Sequence, residues 1–136
     1  MTRQQINTIR NNWRLVSPDA DTIGRLFYTR LFEIAPEVQP MFNNTPVLEQ
    51  SKKLMAMLGY VISRLDRLED LVDDIAALAQ RHVKYGVEPY HYVVVGEVLL
   101  WTLEQRLGTA WNEDAEEAWS TCYSILCAAM VESVAC

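Results

Sequence analysis

The chain has 136 residues, half of them hydrophobic and 22% charged, with a formal net charge of −6 and a pI near 4.8. That length and composition suit one globular domain, residues 1–136, with a sizeable core, and they exclude a disordered chain. The acidic balance argues against a nucleic-acid partner and against adhesion to an anionic membrane.

No N-terminal stretch has the charged-then-apolar form of a signal peptide. The longest apolar run, Tyr92 to Trp101, carries Glu97 and is too short to span a membrane. Cys122 and Cys127 fall five apart on a predicted helix, which points them about 140° apart and disfavours a bond between them. With Cys136 they form no disulfide framework; they read as small apolar residues plus a tail cysteine in a reducing, cytoplasmic setting.

The first predicted helix runs from about Arg3 to Val16, with Ile6, Ile9, Trp13 and Val16 on one face. Ser17-Pro18-Asp19 closes it and opens the next: Ser17 is the expected cap, and Pro18 fits the first helical position. The second helix continues to about Ile34, with Ile23, Leu26, Phe27, Leu31 and Ile34 apolar. Gly24 inside it costs roughly 1 kcal/mol against alanine, which a close crossing with another helix would offset.

Ala35-Pro36-Glu37 starts a short helical turn ending near Phe42, and Asn43 to Pro46 is a loop. A third long helix follows to about Leu65, with Gln50, Leu54, Met57, Leu58, Val61 and Leu65 in one row. Gln50 is the polar member of that row, either a frayed first turn facing water or an inward polar group. Asp66-Arg67-Leu68-Glu69 resembles a capping box opening the next helix.

In that helix Leu71, Ile75 and Leu78 recur at i, i+4 and i+7, and His82 completes the row at i+11. The helix is expected to run out at Tyr85-Gly86, and Pro89 starts the next. A histidine turned inward at the end of an apolar helix is either satisfied by a hydrogen bond or holds something; periodicity alone favours the first. The helix from Pro89 to about Leu107 turns Tyr92, Val95, Gly96, Leu99 and Leu103 inward, and Gly108 stops it. The last begins near Asn112, with Ala115, Trp119, Cys122, Leu126 and Ala129 inward. No strand alternation competes, and there is no internal repeat or linker. The expected fold class is all-α, with six long helices and one short one.

Nucleophilic catalysis finds no glycine-bracketed serine, and phosphate-cradling glycine loops are missing. Two histidines and three scattered cysteines do not make a structural zinc site. Paired carboxylates such as Asp73-Asp74 and Glu116-Glu117 read as solvated. One inward histidine is too few for a protein-only metal site but is enough for haem, whose porphyrin supplies the other equatorial nitrogens.

The order and spacing of several motifs resemble the globin family, and within it bacterial single-domain haemoglobins and the haem domain of flavohaemoglobins. Pro36 with Phe42, the stretch Arg81-His82 through Pro89, Tyr92, Val95-Gly96-Glu97, and Trp119 with Tyr123 carry the likeness across essentially the whole chain. The resemblance implies a globin fold, a three-over-three helical sandwich around haem b (iron protoporphyrin IX), with His82 as the iron ligand. It implies that Phe42, Leu54, Leu78, Val87, Tyr92 and Val95 line the haem, and that Lys53, Arg81 and Lys84 reach its propionates. On the distal side it places Tyr28, fourteen residues before Phe42, and Gln50 with Leu54. It also puts Gly24 and Ser51 at a close helix crossing. His91 matches no family role and reads as surface.

The function so implied is reversible binding of oxygen, and of nitric oxide and carbon monoxide, at ferrous iron with high affinity and slow release. The alternatives are a nitric oxide dioxygenase served by a separate reductase, or a gas sensor or helical regulatory module. Two departures stand out. Flavohaemoglobins continue into a flavin reductase that this sequence does not include. The proximal carboxylate of that subfamily aligns to Val134, and Glu132 lies about 200° around the helix from it. Peroxidase-like chemistry is therefore not expected.

Overall fold

A computed structural model describes residues 1–42, 46–84 and 88–135, without the side chains of Lys84, Pro89 and residues 131–135. Among the described residues six α-helices form: α1 (Arg3–Val16), α2 (Ala20–Ile34), α3 (Val47–Ser63), α4 (Val72–Lys84), α5 (Pro89–Leu107) and α6 (Glu113–Ala135). Short 3-10 segments at Ser17–Asp19, Pro36–Phe42, Leu65–Leu71 and Gly108–Ala110 join or precede them. Among the described residues there is no strand, and no helix is long and apolar enough to cross a membrane.

Local chemistry sets most of the boundaries. Thr2 and Gln5 form a reciprocal capping box that starts α1. Pro89 opens α5, and Gly108 ends it with φ +53°, a conformation that needs no Cβ. The Asn112 side chain accepts from the Ala115 N–H at 2.9 Å and so caps α6. The helix ending expected at Tyr85-Gly86 and the loop expected over 43–45 lie outside the described residues.

Two expected caps are absent. Ser17 is helical (φ −60°, ψ −30°), its own N–H donating to the Trp13 carbonyl, so α1 passes into a 3-10 turn without a side-chain cap. Asp66 opens no capping box; Leu65–Leu71 is a kinked 3-10 stretch, with Arg67 at φ −142°. Arg10 of α1 donates to Asp66 at 3.1 Å, and to the carbonyls of Ile62 and Ser63. A guanidinium arriving from 56 residues away thus takes the carboxylate that sequence reading assigned to a local cap.

The helices stack in two layers. α1, α3 and α4 lie over α2, α5 and α6, with α2 against α3, α4 against α6 and α1 against α6 as the main contacts between layers. Ile9, Val16, Phe27, Leu31, Leu65, Leu71, Val98 and Leu103 form the core. Burial also corrects the expected faces. Ile34 ends α2 45% exposed, whereas Asn12 is buried and accepts from Trp119 Nε1 at 3.0 Å. On α3 the buried residues are Ser51, Met55, Val61 and Ile62, while Leu54, Met57 and Leu58 are only half-buried.

Candidate functional site

The site begins where α2 crosses α3. A Cβ at Gly24 would come within 2.5 Å of the Ser51 Cβ, so the helices touch backbone to backbone. One turn beyond Gly24 stands Tyr28, and beside Ser51 stands Gln50. The crossing therefore brings both polar side chains to one place. Tyr28 is 4% exposed and Gln50 half-buried within hydrogen-bonding reach of its hydroxyl. Burial pushes the Tyr28 phenol up to about 12, partly offset by the Gln50 hydrogen bond. The hydroxyl is consequently a neutral donor at any ordinary pH. Phe27, Phe32 and Phe42 surround the ring, with Phe42 edge-on at 5.4 Å between centroids.

Across the bundle, α4 presents His82. Its Nδ1 lies 2.8 Å from the Leu78 carbonyl, one turn back. That carbonyl can only accept, so Nδ1 carries a proton, and the tautomer this selects is the one whose lone pair is on Nε2. Among the described residues nothing bonds Nε2. Tyr92 of α5 stacks on His82 with centroids 6.1 Å apart and planes 27° apart. Burial raises the Tyr92 phenol, and the nearby Cys127 thiol adds in the same direction. Tyr92 is held in turn by Tyr123 of α6, whose hydroxyl donates to the Tyr92 carbonyl at 2.5 Å. Gly96 makes room: a Cβ there would meet the Tyr123 ring at 2.6 Å.

The remaining sequence-derived candidates divide. Phe42, Leu54, Leu78 and Val95 are half-buried on inward-facing rows, as are Leu58 and His82 itself. Lys53 and Arg81 are exposed and carry no ion pair among the described residues. The Lys84 side chain and Val87 lie outside the described residues, as do the side chains of Glu132 and Val134. His91 was expected at the surface and is instead buried, 5% exposed. Its Nδ1 accepts the Glu88 N–H at 2.8 Å, and the Glu88 side chain accepts the His91 N–H, a reciprocal cap on α5. The spacing Glu88-x-x-His91 around Pro89 was the available signal, with histidine in the place of the usual glutamate. The buried Asn12 is a second missed residue; its signal was a polar side chain one turn on from Ile9.

These features fit a flat apolar group. Inward side chains on α3, α4 and α5 stay half-buried, as core rows do when a planar body is meant to cover them. Among the described residues no three His, Cys, Asp or Glu side chains cluster as metal ligands. A metal here would rest on one axial imidazole and on ring nitrogens from a cofactor, which is the donor set His82 offers.

Comparison with known proteins agrees with this geometry. The family model described as Globin matches residues 25–130. The chain belongs to the globin family. It is similar to a bacterial globin structure from Campylobacter jejuni, with a TM-score of 0.85, 26% identity, and coverage of 97% of this chain and 95% of that one. It is 31% identical over 135 residues to a neuroglobin of Tetraodon nigroviridis, covering 90% of this chain and 85% of the relative. It is 28% identical over 134 residues to a flavohemoprotein of Vibrio cholerae, covering 97% of this chain but 34% of that protein. The two-layer helical arrangement is thus the globin fold, and membership in the family implies haem binding.

Proposed function

We propose that this globin binds haem b through His82 and acts, over residues 1–136, as a high-affinity, slow-release binder of oxygen and other diatomic gases in the cytoplasm. When bound, the haem supplies an iron on which a diatomic gas is held reversibly. His82 contributes Nε2 as a neutral imidazole, and its Nδ1–H donation to the Leu78 carbonyl fixes both tautomer and ring orientation. Phe42, Leu54, Leu78, Tyr92 and Val95 enclose the ring and exclude water in this reading. Lys53, Arg81 and Lys84 offer cations to its propionates.

The observation that carries the proposal is the buried Tyr28 hydroxyl beside Gln50. A neutral donor set among buried aromatic rings favours a ligand that develops partial negative charge, as oxygen does and carbon monoxide does far less. The free thiols of Cys122 and Cys127 suit a reducing compartment. Absorption spectra of ferric, ferrous, oxygen-exposed and carbon monoxide-exposed protein test the reading. Haem bands that respond reversibly to each gas are expected; protein that takes up no haem when supplied with it overturns the proposal.

The likeness to flavohemoproteins supports a second reading, nitric oxide dioxygenation with electrons from a separate reductase. Sustained nitric oxide consumption in the presence of a flavin reductase and reduced nicotinamide would favour it. A single stoichiometric event would leave gas binding as the activity.

A further inference from the structure

Hydrophobic residues are spread around all of α5, the pattern of a helix covered on every side. One face is nevertheless open. Tyr90 and Val93 are 52% and 60% exposed, and the half-buried Val94 and Trp101 continue the same face around Glu97. Arg30 of α2 lies on it, its guanidinium 4.8 Å from the Trp101 ring centroid. Arg30 Nε is buried without a hydrogen-bond partner, the one such side-chain atom among the described residues. Its other contact, to Glu33 at 3.4 Å, is loose and solvent-exposed. Glu97 is exposed and has no hydrogen-bond or ion partner among the described residues. One face thus combines apolar and aromatic anchors with a loosely paired guanidinium and an exposed carboxylate that has no partner among the described residues.

We propose that this face is a homodimer interface, with α5 packed antiparallel on α5 of a second copy across a two-fold axis near Glu97. Val93 and Trp101 each lie four residues from Glu97, so the two-fold sets Val93 against the partner's Trp101 and Trp101 against the partner's Val93. Arg30, riding on Trp101, then reaches the partner's Glu97, and Glu97 receives the partner's Arg30. Each central carboxylate is countered by a guanidinium. This symmetry about the face's own centre points to a second copy rather than to an unrelated protein. Trp, Tyr and Arg are the side chains that most often dominate association. The 19 residues of α5 give a face about 28 Å long.

Sedimentation equilibrium on the haem-loaded protein tests it, with circular dichroism confirming that each variant folds. At about 100 µM the wild type should show twice the 15.6 kDa chain mass. Val93→Glu changes an exposed residue, so it should fold normally and sediment as a monomer. Arg30→Glu and Glu97→Arg should each weaken the dimer at least about tenfold, and the double exchange should restore it. A wild type that stays monomeric up to about 1 mM overturns the proposal. So does a dimer unaffected by Val93→Glu, or a double exchange no tighter than its single parents.

Discussion

A Cβ on Gly24 would stand 2.5 Å from the Cβ of Ser51 and 3.1 Å from its Cα. The second atom is backbone and cannot swing aside, so the contact sets how closely α2 and α3 approach. Gly24→Ala gains about 1 kcal/mol of helix propensity and loses about 1–3 kcal/mol to overpacking. We expect a net loss of up to about 2 kcal/mol in urea unfolding, partly recovered by adding Ser51→Gly. Because Tyr28 and Gln50 flank this crossing, Gly24→Ala should also speed oxygen release. Full stability with unchanged release would show that the crossing does not position the pair.

Tyr28 itself is the sharper test of gas binding. A hydrogen bond in a buried site nets about 1 kcal/mol, or about 1.5–3 with a charged partner, and about 1.4 kcal/mol is tenfold in affinity. Tyr28→Phe should therefore weaken oxygen binding about ten- to a hundredfold, mostly through faster dissociation in stopped flow. Carbon monoxide should change far less. Gln50→Leu should act in the same direction, and the two changes should be non-additive if both donors serve one oxygen atom. Equal dissociation rates in wild type and Tyr28→Phe would remove Tyr28 from the site.

The same residue makes stability sensitive to alkali. The Tyr28 phenol is raised to about 12 by burial in the folded chain, against an ordinary value of 10.0. Its contribution is fully present below pH 10, because both states are then protonated. Between pH 10 and 12 the unfolded chain ionises first, so stability falls as pH rises, by about 3 kcal/mol in all. Tyr123, also raised by burial, adds to the loss in the same direction. Urea midpoints at pH 9 and pH 11.5 should therefore diverge, and Tyr28→Phe should flatten the dependence.

On the proximal side, His82→Ala should abolish stable haem retention or change the coordination of the iron, read from the absorption bands. Retained haem with an unchanged ferrous spectrum would exclude His82 as the ligand. Deoxy ferrous protein should be five-coordinate, since the other histidine, His91, is buried with Nδ1 committed to the Glu88 N–H. A low-spin six-coordinate deoxy spectrum would count decisively against this.

The Tyr123 hydroxyl holds the Tyr92 carbonyl at 2.5 Å, and Tyr92 stacks on His82. Tyr123→Phe should cost about 1 kcal/mol in stability and shift the iron–histidine stretch in resonance Raman. Gly96→Ala, which drives a Cβ to 2.6 Å from the Tyr123 ring, should produce the same spectral shift with a larger stability loss. An unmoved stretch in both variants would confine Tyr123 to packing.

The sequence alone determined the helices, because their signals are local. Periodic apolar rows, Pro89 at a start and Gly108 at a stop act within a turn or two, so α1, α2 and α5 fall close to where the pattern puts them. The row Leu71, Ile75, Leu78, His82 is equally local, and it turned His82 inward before any partner was known. What only tertiary structure decided depends on which helix arrives from far along the chain. Arg10 draws Asp66 into an ion pair instead of a helix cap, and Trp119 makes buried Asn12 satisfied. Ile34 is left open while Ser51 is sealed, because α3 crosses α2 at Gly24 rather than along its whole apolar face. That crossing also brings Tyr28 to Gln50. Periodicity says which way a side chain points; only the neighbouring helix decides whether it meets water, a hydrogen-bond partner or an open slot.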